Sequence, residues 1–159
     1  MNGYGKEDPM DHSSHSKKTM TAFWTVTGLF CLQLAFTGYA QLRLPQVAAA
    51  FTHLGFPDYF RVGLSFAKFA GVLVLLAPVP ARLKEWAYAG FAFDVASAII
   101  AHLAVGDGPQ AWGWPAGTGV LWGLSYFLWR RLQAAPATQT LASRAPARST
   151  HGRPAGALG

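Results

Sequence analysis

A lysine and an aspartate stand inside two long apolar stretches of the 159-residue chain. Lys68 interrupts the run at residues 59–79, and Asp94 lies near the middle of the run at residues 83–105. A charged side chain in an apolar membrane helix costs several kcal/mol unless it is paired or hydrated, so such residues mark either a functional site or a structural ion pair. The sequence alone leaves both interpretations open.

Counting along the chain places the two charges at one depth. Lys68 lies 13 residues before Ala81, the midpoint of the turn between the two runs, and Asp94 lies 13 residues after it. In an antiparallel hairpin the two side chains then face each other, and small neighbours such as Gly71 and Gly90 allow the helices to approach closely. We therefore expect an ion pair across the hairpin.

Ser97 and His102 are two further polar residues of the third run. Ser97 shares the face of Asp94 at helical spacing, whereas His102 lies two turns beyond Asp94 and is rotated about 80° from it. An imidazole at this place can hydrogen-bond at the interface or accept a proton beside a pocket. A metal or haem pair with His53, which lies in the connector before the second run, is an alternative.

Two tyrosines, Tyr39 and Tyr126, could hydrogen-bond a ligand headgroup or simply bond to neighbouring helices. The predicted ligand-binding residues are Lys68, Asp94, Ser97, His102, Tyr39 and Tyr126. The sequence contains no P-loop, nucleophile elbow or zinc motif, so no catalytic residue and no metal site is predicted. The single cysteine, Cys31, excludes an internal disulfide.

The composition indicates that membrane helices carry these residues. The chain is 52% hydrophobic and 13% charged, against roughly 25% charge in soluble domains. We predict an all-α fold, a four-helix transmembrane bundle at residues 19–133 with disordered polar tails at 1–18 and 134–159. The predicted helices span residues 19–42, 59–79, 83–105 and 114–132. The connector before the second helix could form a short interfacial helix, opened by Pro45 and stopped at Gly55.

The distribution of basic residues predicts the orientation. Ten lysines and arginines fall on the side that holds both termini, and two, Arg43 and Arg61, fall on the other side. The positive-inside rule then places both termini in the cytoplasm of a bacterium, with the helices crossing its inner membrane. The net charge of +6 is explained by these loops and tails, so no nucleic-acid partner is expected.

The segment from residue 51 to residue 107 and the apolar run after it resemble the DoxX-like family of small bacterial membrane proteins. The similar elements are the LGFP turn at residues 54–57, the lysine and glycine of the second run, the KEWAYAGF segment at residues 84–91, and the aspartate and histidine that follow. The resemblance covers about residues 21–133. It implies a four-helix membrane bundle, and some relatives are associated with quinone-linked sulfur oxidation or with membrane redox assemblies.

Three functions are compatible with these features. The first is an accessory or binding subunit of a membrane redox system, with a quinone-like lipophilic ligand in a polar pocket of the bundle. The second is a structural or assembly protein without a ligand, and the third is a small proton-coupled carrier. The expected partners are the lipid bilayer, other membrane or redox subunits and a second copy of the chain.

Overall fold

Five helices make up the described part of the chain. The computed structural model describes residues 9–144, with side chains described from Lys17 to Ala134. No strand occurs in this part. The helices are α1 (Pro9–Arg43), α2 (Pro45–His53), α3 (Asp58–Leu76), α4 (Ala81–Ala104) and α5 (Pro109–Arg144).

The two terminal helices are longer than predicted. Helix α1 begins at Pro9 rather than at residue 19, because no glycine or proline interrupts the chain between Met10 and Thr27. Helix α5 continues to Arg144, so residues 9–18 and 134–144, predicted as parts of the two tails, belong to helices. The remaining predicted tail residues, 1–8 and 145–159, lie outside the described residues.

Helix α5 also begins earlier than predicted. The sequence places the helix start next to Pro115 and a loop before it, whereas the structure starts the helix at Pro109. Proline suits the first helical position because a backbone N–H there would have no partner within the helix, so its absence costs no hydrogen bond. Pro115 therefore lies inside the helix and not at its start.

The four long helices pack as a ring, and each is antiparallel to the next. Helix α1 packs against α3 and α5, and α4 packs against the same two helices. Helix α2 is the short connector helix that Pro45 and Gly55 indicated, and it lies against α1 and α3 at one end of the ring. The structure therefore has five helices in its described part, the four predicted long ones and α2.

Helices α2 and α4 end in the same way. Gly55 and Gly106 follow them with φ of +79° and +80°, a left-handed conformation that glycine adopts at no steric cost. At α4 the N–H of Gly106 donates to the carbonyl of Leu103, and the N–H of Asp107 donates to the carbonyl of His102. This is the Schellman pattern of helix termination, and it places Asp107 next to His102.

A buried cluster of hydrogen-bonded side chains lies at the end of the ring away from α2. There the Ser125 hydroxyl lies 2.7 Å from that of Thr27 and 2.8 Å from that of Tyr88, with all three side chains buried. The indole of Trp122 donates to the backbone carbonyl of Tyr88. This hydrogen-bonded network joins α1, α4 and α5 and leaves none of its polar atoms unsatisfied.

The outer surface of the ring is apolar. Leu32, Leu73, Ile100 and Val120 project outward from the four long helices, each more than half exposed. Three stretches, Lys17–Arg43, Asp58–Leu76 and Ala81–Ala104, are long and apolar enough to cross a membrane. Helix α5 does not reach the same hydropathy, because its glycines and tryptophans are less apolar than leucine or valine.

Candidate functional site

A cavity of about 660 Å³ lies in the half of the ring next to α2. All five helices contribute to its wall, which is mostly apolar. The polar or titratable side chains in the wall are Thr37, Gln41, Lys68, Asp94, Ser97, His102, Trp114 and Thr118. Pockets of this size and composition hold small molecules that are apolar over most of their surface and polar at a few points.

The ion pair predicted from the sequence is confirmed. The Nζ atom of Lys68 lies 3.4 Å from Oδ2 of Asp94, and the two side chains are 10% and 14% exposed. The hairpin register is also confirmed, because Gly71 lies three residues after Lys68 and contacts Phe91, three residues before Asp94. A Cβ atom on Gly71 would lie 2.4 Å from the Phe91 ring, so this glycine permits the close approach that brings the charges together.

The charged pair keeps unused hydrogen-bonding capacity. Neither the Lys68 ammonium nor the Asp94 carboxylate makes a hydrogen bond to another described residue. An ammonium has three N–H donors, and a carboxylate has about four acceptor positions. Because both residues line the cavity, these donors and acceptors are available to a molecule inside it.

A second polar cluster closes the end of the cavity nearest α2. The Oδ2 atom of Asp107 lies 2.7 Å from Nδ1 of His102, and its Oδ1 atom lies 2.9 Å from Nε2 of His53. His102 lines the cavity, whereas His53 is 58% exposed at the outer surface. Asp107 thus connects a cavity residue on α4 to a surface residue on α2.

The hydrogen bonds from His102 and His53, the former contributing more, lower the pKa of the Asp107 carboxyl below its ordinary value. The carboxylate is therefore ionised at neutral pH. The sequence suggested a metal or haem pair of His53 and His102, but a carboxylate stands between the two rings. Among the described residues no group of three potential metal ligands is found.

The wall between α1 and α3 is held by another set of hydrogen bonds. Ser65 donates to the side-chain oxygen of Gln41 at 3.0 Å, and the Arg61 guanidinium donates to the backbone carbonyl of Gln41. Arg61 also pairs with Asp58 on its own helix. These bonds fix Gln41 in the cavity wall, a position that the sequence did not indicate.

The six predicted ligand-binding residues separate into two groups. Lys68, Asp94, Ser97 and His102 line the cavity together. Tyr39 is half exposed on the outer face of α1 and is not in the wall. Tyr126 is also outside the wall and stacks on Trp122 in the far half of the ring, with ring centroids 5.8 Å apart.

Asp107, like Gln41, is a residue of the site that the sequence did not indicate. It lies in a glycine-rich loop, where an acidic residue is ordinary. The signal was the spacing: a histidine in the last turn of a helix, then glycine four residues later and aspartate five residues later. The Schellman end brings such an aspartate back onto the histidine.

Comparison with known proteins decides the family. The sequence profile of the DoxX-like family matches residues 25–125, which include α2, α3, α4 and the larger part of α1. The chain belongs to the DoxX-like family. Comparison with curated proteins and with solved structures finds no match. The family and the apolar helices make this DoxX-like protein a small membrane protein.

Proposed function

We propose that this DoxX-like protein holds a quinone-like lipophilic molecule in its cavity and acts as an accessory or binding subunit of a membrane redox system. The observation that carries the proposal is the unused hydrogen-bonding capacity of Lys68 and Asp94 inside an apolar cavity. A pair that only fixed helix packing would not need to border an open volume.

The chemistry of the cavity suits a ligand with a polar head and an apolar body. The Lys68 ammonium can donate to a ligand oxygen while Asp94 compensates its charge. The apolar wall from α1 and α2, which includes Phe36, Val47 and Phe51, can surround a ring or an alkyl chain. Trp114 is also in the wall and gives an optical signal for binding.

Native mass spectrometry of the purified protein, followed by solvent extraction, tests the proposal. We expect a co-purified lipophile, and we expect added ubiquinone or menaquinone to quench tryptophan fluorescence saturably. The variant K68M should weaken binding, whereas R130Q, which breaks the exposed Arg130–Glu85 pair, is the matched control and should not. Absence of any bound lipophile together with stable partner subunits would instead favour an assembly role.

We further propose that α5 is a fourth span and that both termini face the cytoplasm of a bacterial inner membrane. Helix α5 runs antiparallel beside α4 and is longer than α4. At the end of the ring that holds the α3–α4 turn stand Arg82, Lys84, Arg130 and Arg131, whereas Arg43 and Arg61 stand near α2. This bias supports the orientation.

Cysteine labelling in intact cells tests the orientation. The variant G108C, in the loop between α4 and α5, should react with a membrane-impermeant maleimide from outside. The variant A81C, at the opposite turn, should react only after the cells are opened. The reverse pattern would overturn the orientation. A quinone-reactive redox partner or a second copy of the chain is the expected binding partner, and cross-linking before extraction would identify it.

A further inference from the structure

The histidine at the α2 end of the cavity has a fixed hydrogen-bonding role. An ionised carboxylate only accepts hydrogen bonds, so the ring nitrogens that touch Asp107 must both carry protons. Nδ1 of His102 therefore donates to Oδ2, and Nε2 of His53 donates to Oδ1. In a neutral imidazole one nitrogen is a donor and the other an acceptor. It follows that Nε2 of neutral His102 is an acceptor.

This acceptor has no partner among the described residues. His102 makes one side-chain hydrogen bond, through Nδ1, and its side chain is 18% exposed in the wall of the cavity. Of the two arginines near this end, Arg61 pairs with Asp58 on α3. Neither Arg61 nor Arg43 hydrogen-bonds Nε2 of His102, and no other described residue does.

We propose that Nε2 of His102 is an acceptor subsite for a hydroxyl group of a lipophilic ligand, with Asp107 as the positioning residue that holds the imidazole in this tautomer. The subsite rests on the proposed function, because it requires that the cavity binds a ligand. It deepens that function by naming the ligand chemistry: a phenol or another lipophilic alcohol, which includes a quinol, the reduced form of a quinone.

The two polar groups of the cavity wall differ in what they offer a ligand. The Lys68–Asp94 pair offers both a donor and acceptors, whereas His102 offers an acceptor and prefers an O–H group. Residues 94 and 102 are eight positions apart on α4, a rise of about 12 Å. A single small headgroup cannot touch both, so the H102F variant separates a hydroxyl preference at His102 from one at Asp94.

Two probes that differ only in methylation of the phenolic oxygen test the preference: para-octylphenol, which can donate from its O–H group, and its methyl ether para-octylanisole, which cannot. Binding to the full chain in detergent is measured by the shift in thermal unfolding. We expect the phenol to bind about three- to tenfold more tightly, the ratio that one net hydrogen bond supplies. The variant H102F should bind both probes equally, and D107N should lose most of the preference.

The variant H53F is the matched control, because His53 touches the same carboxylate from the far side and is not in the cavity wall; it should keep the preference. Equal binding of both probes by the parent protein would overturn the subsite while leaving the cavity as a binding site. Failure of both probes to bind would count against the proposed function as well.

Nitrogen-15 NMR of the histidine-labelled parent protein tests the tautomer without any variant. We expect one histidine with a protonated Nδ1 and an unprotonated Nε2, the signal of which is lost in H102F and moves when the phenol is added. A protonated Nε2 on His102 at neutral pH would overturn the proposal, because that nitrogen would then be a donor.

Discussion

Replacing one member of the Lys68–Asp94 pair should destabilise the protein more than replacing both. At 3.4 Å and an effective dielectric constant of about 20, the attraction between two unit charges is about 5 kcal/mol. The desolvation of two nearly buried groups offsets most of this attraction, so the net contribution of the intact pair is small. A single substitution, K68M or D94L, removes the attraction and leaves one charge desolvated, which costs roughly 3–5 kcal/mol.

The double variant carries no buried charge and should recover most of that loss. A double-mutant cycle measured by unfolding in detergent should give a coupling free energy of about 3 kcal/mol or more. The exposed pair of Arg130 and Glu85, at 3.1 Å with side chains 58% and 45% exposed, provides the comparison. It also joins two helices, but water screens it, and its coupling should be below about 1 kcal/mol.

Similar coupling energies for the two pairs would refute this prediction. That result would mean that water in the cavity solvates Lys68 and Asp94 as well as bulk water does. Single variants as stable as the parent would lead to the same conclusion. In either case Lys68 and Asp94 would be hydrated groups and not donors and acceptors kept for a ligand.

Three further predictions follow from contacts in the structure. G71A should lower stability by about 1–3 kcal/mol because its Cβ atom overlaps the Phe91 ring, and F91L in the same chain should restore part of the loss in thermal unfolding. S125A should cost about 1–3 kcal/mol because it leaves the Tyr88 hydroxyl without this partner in the core, and a compensating rise with Y88F would confirm the cause. Hydrogen bonds lower the pKa of the Asp107 carboxyl in the folded protein below its ordinary value of 3.8. The carboxylate therefore contributes to stability above pH 3.8, and this contribution is lost as the pH falls through the pKa of the folded state. D107N should make stability less dependent on pH in the acid range.

Much of the membrane fold could be predicted because the constraints are local and strong. Long apolar runs, prolines after α3 and glycines after α2 and α4 mark the helices and their ends. The Lys68–Asp94 register follows from the short hairpin alone. The errors lie where the local signals conflict: Pro115 favoured a helix start, but Pro109 meets the same requirement earlier in the chain.

The candidate site could be predicted only in part, because a cavity depends on how helices diverge. The sequence predicted a pocket with Lys68, Asp94, Ser97 and His102, and these four residues line the cavity. Tyr39 and Tyr126, also predicted to bind a ligand, lie outside the wall, because the sequence of a helix does not show whether a face meets lipid, a neighbouring helix or a cavity. Asp107 required the path of the chain after α4, which the φ of Gly106 determines.

Two unrelated features of the chain position the two polar groups of the cavity, the Lys68–Asp94 pair and His102 with its partner Asp107. The hairpin between α3 and α4 sets the charged pair at mid-depth, and the glycine-terminated end of α4 sets the imidazole and its carboxylate. Between them the wall contributed by α2 is apolar. A ligand that uses both groups must therefore be elongated, with an oxygen near Lys68, an O–H group near His102 and an apolar middle. A volume of about 660 Å³ accommodates a molecule of drug-like size, so a long-chain lipophile would have to leave its tail outside the ring.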